Sequence, residues 1–326
     1  MTYDEFLNYI RESVEKIVIG EEGNKKVTIH KVLKNNDIVL DALIVTDKIT
    51  NISPTIYLNS YFDEYVEGRY LGDIVNEIYG LYEDHKDKIV FDIDLFSDFT
   101  NIKGRIAFKL INSKTNEKLL CEVPFIPFLD LAIVFYCIID SDLIGSAITL
   151  VHNEHLEMWA ISLNELYEVA KINTPRILPG EIKSMDSIIK NMLIHELEKD
   201  ETISNHVKET GDESYYETIA TEKFDEMNGL KKDIKMYVLS NKARINGAAC
   251  ILYENILDKF ARKMKRDIYI LPSSIHEVIL VPANKGVIKS ELSCMVREVN
   301  IEAVDEGEVL SDHVYLYRRD IKQICM

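Results

Sequence analysis

A thiol followed downstream by an imidazole is the order used by papain-like cysteine enzymes, and Cys250 and His276 supply it here. The thiolate is the nucleophile, so such chemistry needs something that lowers the thiol pKa. The run Gly247 to Met264 predicts a helix with Cys250 in its first turn, where the positive helix end would act in that direction. Ala248, Ala249, Ile251 and Leu252 surround the cysteine, however, and favour a small core residue over a catalytic one. Asn300 and Asp312 follow as residues able to orient the ring, with no spacing that privileges either.

A second set lies in HNEHLEMW, where His152 and His155 stand three apart beside Glu154 and Glu157, a collection of imidazoles and carboxylates suited to a divalent metal. The HExxH arrangement needs histidines at i and i+4, and the order here departs from it. No third ligand is defined, so the favoured expectation is that both rings cap backbone groups or face solvent. LPSSIHEVILVP places Ser273, Ser274, His276 and Glu277 between two strands, but the sharp GxSxG turn of serine hydrolases is absent. Alternation in HEVIL puts His276 with Val278 on one face and Glu277 with Ile279 on the other, which disfavours a direct His276–Glu277 pair. Neither GxxxxGK[ST] nor GxGxxG occurs among the 13 glycines, so no cofactor is expected. Lys259, Arg262, Lys263, Lys265 and Arg266 close the predicted Gly247 helix, where cations suit the negative helix end.

The elements that must position these residues read as α+β. Thr2 with Glu5 forms a capping box, and Tyr3, Phe6, Ile10, Val14 and Ile17 then recur at helical spacing. Val27 to Leu33 and Ile38 to Val45 predict a hairpin, and Tyr61 to His85 a long helix broken near Gly68. Phe91 to Ile111 is ambiguous between helix and strand. Leu131 to Ile139 and Ala147 to Val151 read as adjacent core strands flanking a polar turn at Asp140 to Gly145, with a third strand suggested at Met158 to Ile161. Ser162 with Glu165 opens another helix, which ends near TPRILP, and one more runs from about Met185 to Leu197. Residues 196–232 are acidic and poor in aliphatic side chains, and predict a linker in which Tyr215 and Tyr216 form a short recognition element or an ordinary exposed pair. The expectation is therefore two mixed α/β blocks with mainly antiparallel sheets flanked by helices: residues 1–195, an acidic linker at 196–232, and residues 233–326.

Charge and cysteine usage bound the partners. With 55 acidic against 38 basic residues the net charge is -17, a field that repels phosphate backbones and anionic lipid, so nucleic acid is disfavoured as a partner. The N-terminal MTYDEFLNYIRES lacks the basic start and apolar stretch of a secretory signal, and the longest apolar run, Leu131 to Ile139, is under half the roughly 20 residues of a membrane-spanning helix. Five cysteines without CxxC spacing disfavour a disulfide framework and suit a reducing cytoplasm.

The phrases NISPTIYLN (residues 51–59), VPFIPFLDLAIVFYCII (123–139), HNEHLEMW (152–159), NTPRILP (173–179), NGAACILY (246–253) and LPSSIHEVILVP (271–282), with the closing MVREVN and LSDHVYLY, resemble a family of domain-of-unknown-function proteins from Lachnospiraceae and related clostridial gut bacteria. A fainter similarity runs to the YtpQ-type proteins of Bacillus relatives. The resemblance implies a bacterial, intracellular setting and transfers no catalytic residue. Together these observations lead to a non-enzymatic intracellular protein-interaction or regulatory protein with a protein partner. The alternatives are a hydrolase built on Cys250 and His276 and a metal-binding protein built on His152 and His155.

Overall fold

The computed structural model describes residues 1–21, 25–46, 54–86, 96–139, 148–212, 214–228, 234–284 and 286–326. The turn expected at Asp140 to Gly145 and the first part of the ambiguous stretch from Phe91 lie outside them. The chain divides into two compact units: Met1–Phe128 with Ala132–Asn173, and Leu129–Leu131 with Thr174–Met326. The fold is α+β, with mainly antiparallel sheets.

The first unit opens with helix α1 (Tyr3–Glu21), whose start is the expected capping box: Glu5 accepts the Thr2 N–H at 2.8 Å and Thr2 Oγ1 accepts the Glu5 N–H at 3.3 Å. Phe6, Ile10, Val14 and Val18 recur every fourth residue and are fully or almost fully buried. They pack on strands β1 (Lys26–Leu33), β2 (Val39–Thr46) and β3 (Ile56–Tyr57) and on helix α3 (Leu71–His85), which contributes Ile74, Val75, Ile78 and Tyr82. Helix α2 (Asn59–Val66) precedes α3, and the break between them falls at Gly68, whose φ of 104° lies in the region that favours glycine. The β1–β2 turn uses Asn36 and Asp37 in the left-handed region, which Asn and Asp tolerate best after glycine.

Beyond a short helix α4 (Phe99–Ile102), the unit's second sheet contains β4 (Ile106–Asn112), β5 (Phe125–Phe128), β6 (Leu131–Ile138) and β7 (Ile148–Leu150), in the order β4-β6-β5 with β7 paired to β6. Every residue of β6 is buried, as a continuous apolar run requires when both faces are covered. Helix α5 (Glu117–Glu122) lies between β4 and β5. Met158 to Ile161, expected as a strand, instead ends helix α6 (Asn153–Trp159), and helix α7 (Leu163–Ile177) follows with its own Ser162/Glu165 capping box.

The second unit is built on a six-stranded antiparallel sheet of order β13-β12-β10-β11-β9-β8. Its strands are β8 (Gly180–Ser184), β9 (Tyr237–Asn241), β10 (Ile268–Ser274), β11 (Glu277–Pro282), β12 (Tyr315–Arg318) and β13 (Gln323–Cys325). Between β8 and β9 the expected linker is helical: α8 (Met185–Lys199), α9 (Glu201–Thr210) and α10 (Ser214–Asn228) occupy it, and the division between units falls at Asn173/Thr174 instead. Its Glu, Lys and Met are good helix formers, and Leu197, Val207, Ala220 and Phe224 bury enough apolar surface to pack the helices. Tyr215 accordingly sits on α10 with its ring 4.6 Å from that of His206. The single helix expected from Gly247 to Met264 is two pieces, a 3-10 segment Gly247–Leu252 and helix α11 (Ile256–Met264), separated by Asn255 at φ 62°. Helix α12 (Lys289–Glu302) packs Leu292 and Val296 on Leu271 and Val281 of the sheet. Among the described residues no helix is long and apolar enough to cross a membrane, and Cys121, Cys137, Cys250, Cys294 and Cys325 are all free.

Candidate functional site

Cys250 lies in the 3-10 segment, not in the first turn of an α-helix, so the helix-end effect expected from the sequence has no α-helix to supply it. It is fully buried, and burial pushes the thiol up to about 12. His276, in the β10–β11 turn, has both ring nitrogens engaged. The Asn246 N–H donates to Nδ1 at 3.2 Å, which leaves Nε2 as the donor to Glu308 Oε1 at 3.2 Å. Asn300 and Asp312 bond each other, Asn300 Nδ2 donating to Asp312 Oδ1 at 2.8 Å. Close packing explains the arrangement around Gly247: a Cβ there would lie 2.2 Å from Ser240 Oγ and 2.4 Å from the His276 carbonyl oxygen, so only glycine lets the two segments meet.

The histidines of HNEHLEMW close the N-terminus of α6. His152 is the N-cap residue and its ring accepts from the His155 backbone, while His155 Nδ1 accepts the His152 N–H at 3.0 Å. His155 also stacks on Trp159 with ring centroids 5.3 Å apart and meets Phe96 edge-on, and burial, with the neighbouring His152 adding to it, holds its pKa below the usual histidine value. Among the described residues no group of three His, Cys, Asp or Glu side chains is placed to hold a metal. The two sets named from the sequence thus have evident structural work, packing for one and capping for the other.

Open polar groups occur elsewhere, on one face of the second unit's sheet. Antiparallel register aligns Glu181 with Ser240 across β8 and β9, and Lys183 with Val238, which in turn faces Ile279 on β11. Residues opposite one another share a face, so Glu181, Lys183, Val238, Ser240, Glu277 and Ile279 form two rows on one side. Met185, Ile188 and Met192 of α8, at helical spacing, wall those rows, and Arg244 closes the end beyond β9. The result is a hollow of about 230 Å³. Glu181 and Lys183 pair with each other at 2.8 Å, whereas Arg244 and Glu277 have no ion-pair partner among the described residues. Ser240 donates its hydroxyl to the His276 carbonyl at 2.7 Å and retains its acceptor capacity.

A second, smaller hollow of about 60 Å³ lies on the same face, lined by Met236, Leu271, Ile279, Met295, Val299 and Asn300 among others. Asn300 is 7% exposed, and its Nδ2 donates to the Ser311 carbonyl and to Asp312 Oδ1, two acceptors that fix which end of the amide is nitrogen. Its Oδ1 is buried with no hydrogen-bond partner among the described residues. Four of the nine methionines, Met185, Met192, Met236 and Met295, line the two hollows. Such side chains adapt to varied partners and are over-used at binding surfaces.

Two further clusters have no counterpart among the sequence motifs. Asp130 accepts from Ser311 Oγ at 2.6 Å and Tyr315 OH at 2.7 Å, with His313 Nδ1 3.0 Å away. Serine, histidine and aspartate therefore meet, but serine and histidine converge on the same carboxylate oxygen, whereas a hydrolytic triad places the histidine between the other two. Burial raises the Asp130 carboxyl and the three hydrogen bonds outweigh it, leaving the pKa below the usual value. In the first unit, Lys109 of β4 is pulled down to about 8 by burial, with Lys34 adding to the effect. No local pattern announces either cluster, because Asp130 and Ser311 lie 181 residues apart and Lys109 differs from an exposed lysine only in its surroundings.

No curated protein and no solved structure matches the chain. The family of unknown function DUF5688 matches residues 3–319, nearly the whole chain and both units, as the resemblance in the sequence implied. The chain belongs to that family, DUF5688.

Proposed function

We propose that the chain is a non-enzymatic protein-interaction or regulatory protein of the bacterial cytoplasm, which binds a protein partner through the methionine-lined face of its second unit. The observation that carries this reading is Asn300 Oδ1, a buried acceptor without a partner at the edge of an apolar hollow. An unmet buried acceptor costs about 1–3 kcal/mol. A partner segment with an apolar side chain beside an N–H donor would fill the hollow and satisfy the acceptor together. Met192, Met295 and Val299 are 63%, 38% and 39% exposed, so apolar surface remains for such a segment to cover. The Cys250/His276 hydrolase reading draws less support, since the thiol is buried and both ring nitrogens are committed. The His152/His155 metal reading is weakened in the same way by the reciprocal cap.

Affinity capture from the native host, comparing the full chain with Met295→Glu and Val299→Glu, tests the reading. A partner retained by the wild type and lost by both variants, each still folded by circular dichroism, is expected. Turnover in a broad substrate screen that disappears in Cys250→Ser would overturn it in favour of the hydrolase.

A further inference from the structure

We infer that the larger hollow binds a free α-amino acid with an aliphatic or thioether side chain. The inference rests on the reading of this face as a binding surface and names a small ligand for one part of it. Four charged side chains rim the hollow, and the Glu181–Lys183 pair neutralises itself. The remaining two, Arg244 and Glu277, carry opposite charges, line the same cavity and pair neither with each other nor with another described residue. Two opposite charges held apart on one cavity complement a ligand that carries both signs, a carboxylate for the guanidinium and an ammonium for the glutamate. A carboxylate suits the planar fork of arginine, and an ammonium finds a second acceptor in Ser240 Oγ, whose own proton is already committed to the His276 carbonyl.

The rest of the hollow is apolar: Met185, Ile188, Met192 and Val238 offer a flexible wall to an unbranched or γ-branched side chain. At about 230 Å³ the space falls below the roughly 300–1,000 Å³ of pockets for drug-sized ligands, which suits a molecule as small as one amino acid. A phosphate or nucleotide would meet Glu181 and Glu277 at the rim, and a purely apolar molecule would leave both unpaired charges desolvated. Leucine and methionine meet the combined requirement.

Isothermal calorimetry on the full chain with L-leucine and L-methionine tests this, with N-acetyl-L-leucine lacking the ammonium and L-leucinamide lacking the carboxylate. Binding of either amino acid, weakened at least tenfold for both blocked analogues and at least tenfold in Arg244→Met and Glu277→Gln, is the expected result. No binding by any proteinogenic amino acid overturns the inference, as does equal binding of the blocked analogues or unchanged binding in both variants. Should Met295→Glu and Val299→Glu abolish partner capture while no amino acid binds, the inference fails and the interaction reading stands. Amino-acid binding with no partner captured supports the inference and removes the protein partner instead.

Discussion

Polar side chains are used differently in the two units. In the first they bind the backbone of the next element. The Asp37 carboxylate accepts the Lys118 and Leu119 N–H groups at 2.9 and 3.0 Å and so caps α5, while Asn116, fully buried, exchanges bonds with Asn36 at 2.7 and 3.0 Å. His152 and His155 cap each other's backbone. In the second unit Arg244 and Glu277 end at a hollow, and Asn300 ends with a buried oxygen unmet. The contrast teaches where to look for function. A chemically suggestive residue whose atoms are all engaged is doing structural work, and a less suggestive one left open is available to a ligand.

The contrast can be broken by substitution. Asn116→Leu should cost most, about 2–4 kcal/mol, because it removes from a fully buried position the amide that accepts the Asn36 N–H and donates to Asn36 Oδ1. Arg244→Met should move stability by no more than about 0.5 kcal/mol. Chemical denaturation of both variants checks the pair, and comparable losses would erase the distinction. Lys109→Met should act in the opposite direction, stabilising by about 1–3 kcal/mol at pH 7. The sign follows from a folded pKa near 8 against an ordinary 10.5: the penalty is full below about 8, shrinks as pH rises towards 10.5 and is gone above it. Denaturation midpoints of wild type and variant should therefore converge with rising pH. His155→Ala should cost about 1 kcal/mol for a lost cap. Because burial lowers its pKa, the histidine's contribution is present above the ordinary value and lost as pH falls through the folded one. Zinc that raises the melting temperature of the wild type and leaves His155→Ala unmoved would restore the metal reading.

Much of the local structure is legible in the sequence. Thr2/Glu5 and Ser162/Glu165 announce two helix starts because a capping box is satisfied within four residues. The alternation in HEVIL also places Glu277 beside Ile279, on the face that carries both hollows. The linker expectation fails because acidic composition suggests solvation, whereas α8 and α10 need only a sparse apolar stripe to pack. Cys250 reads as a helix-start residue because GAACILYENILDKF has helical character throughout. The left-handed residue Asn255 that divides it is invisible to periodicity.

The sequence by itself determined the α+β class, the paired capping boxes, the buried strand Leu131–Ile138, the acidic surface charge and the family resemblance, all of which depend on neighbours within a few residues or on composition. Only the tertiary structure decided which polar groups are engaged. Whether Arg244 and Glu277 pair, and whether Asn300 keeps a free oxygen, depends on strand register and on segments far apart in the chain. An exposed charge and a waiting ligand contact have the same letter in the sequence and differ only in what folding brings beside them.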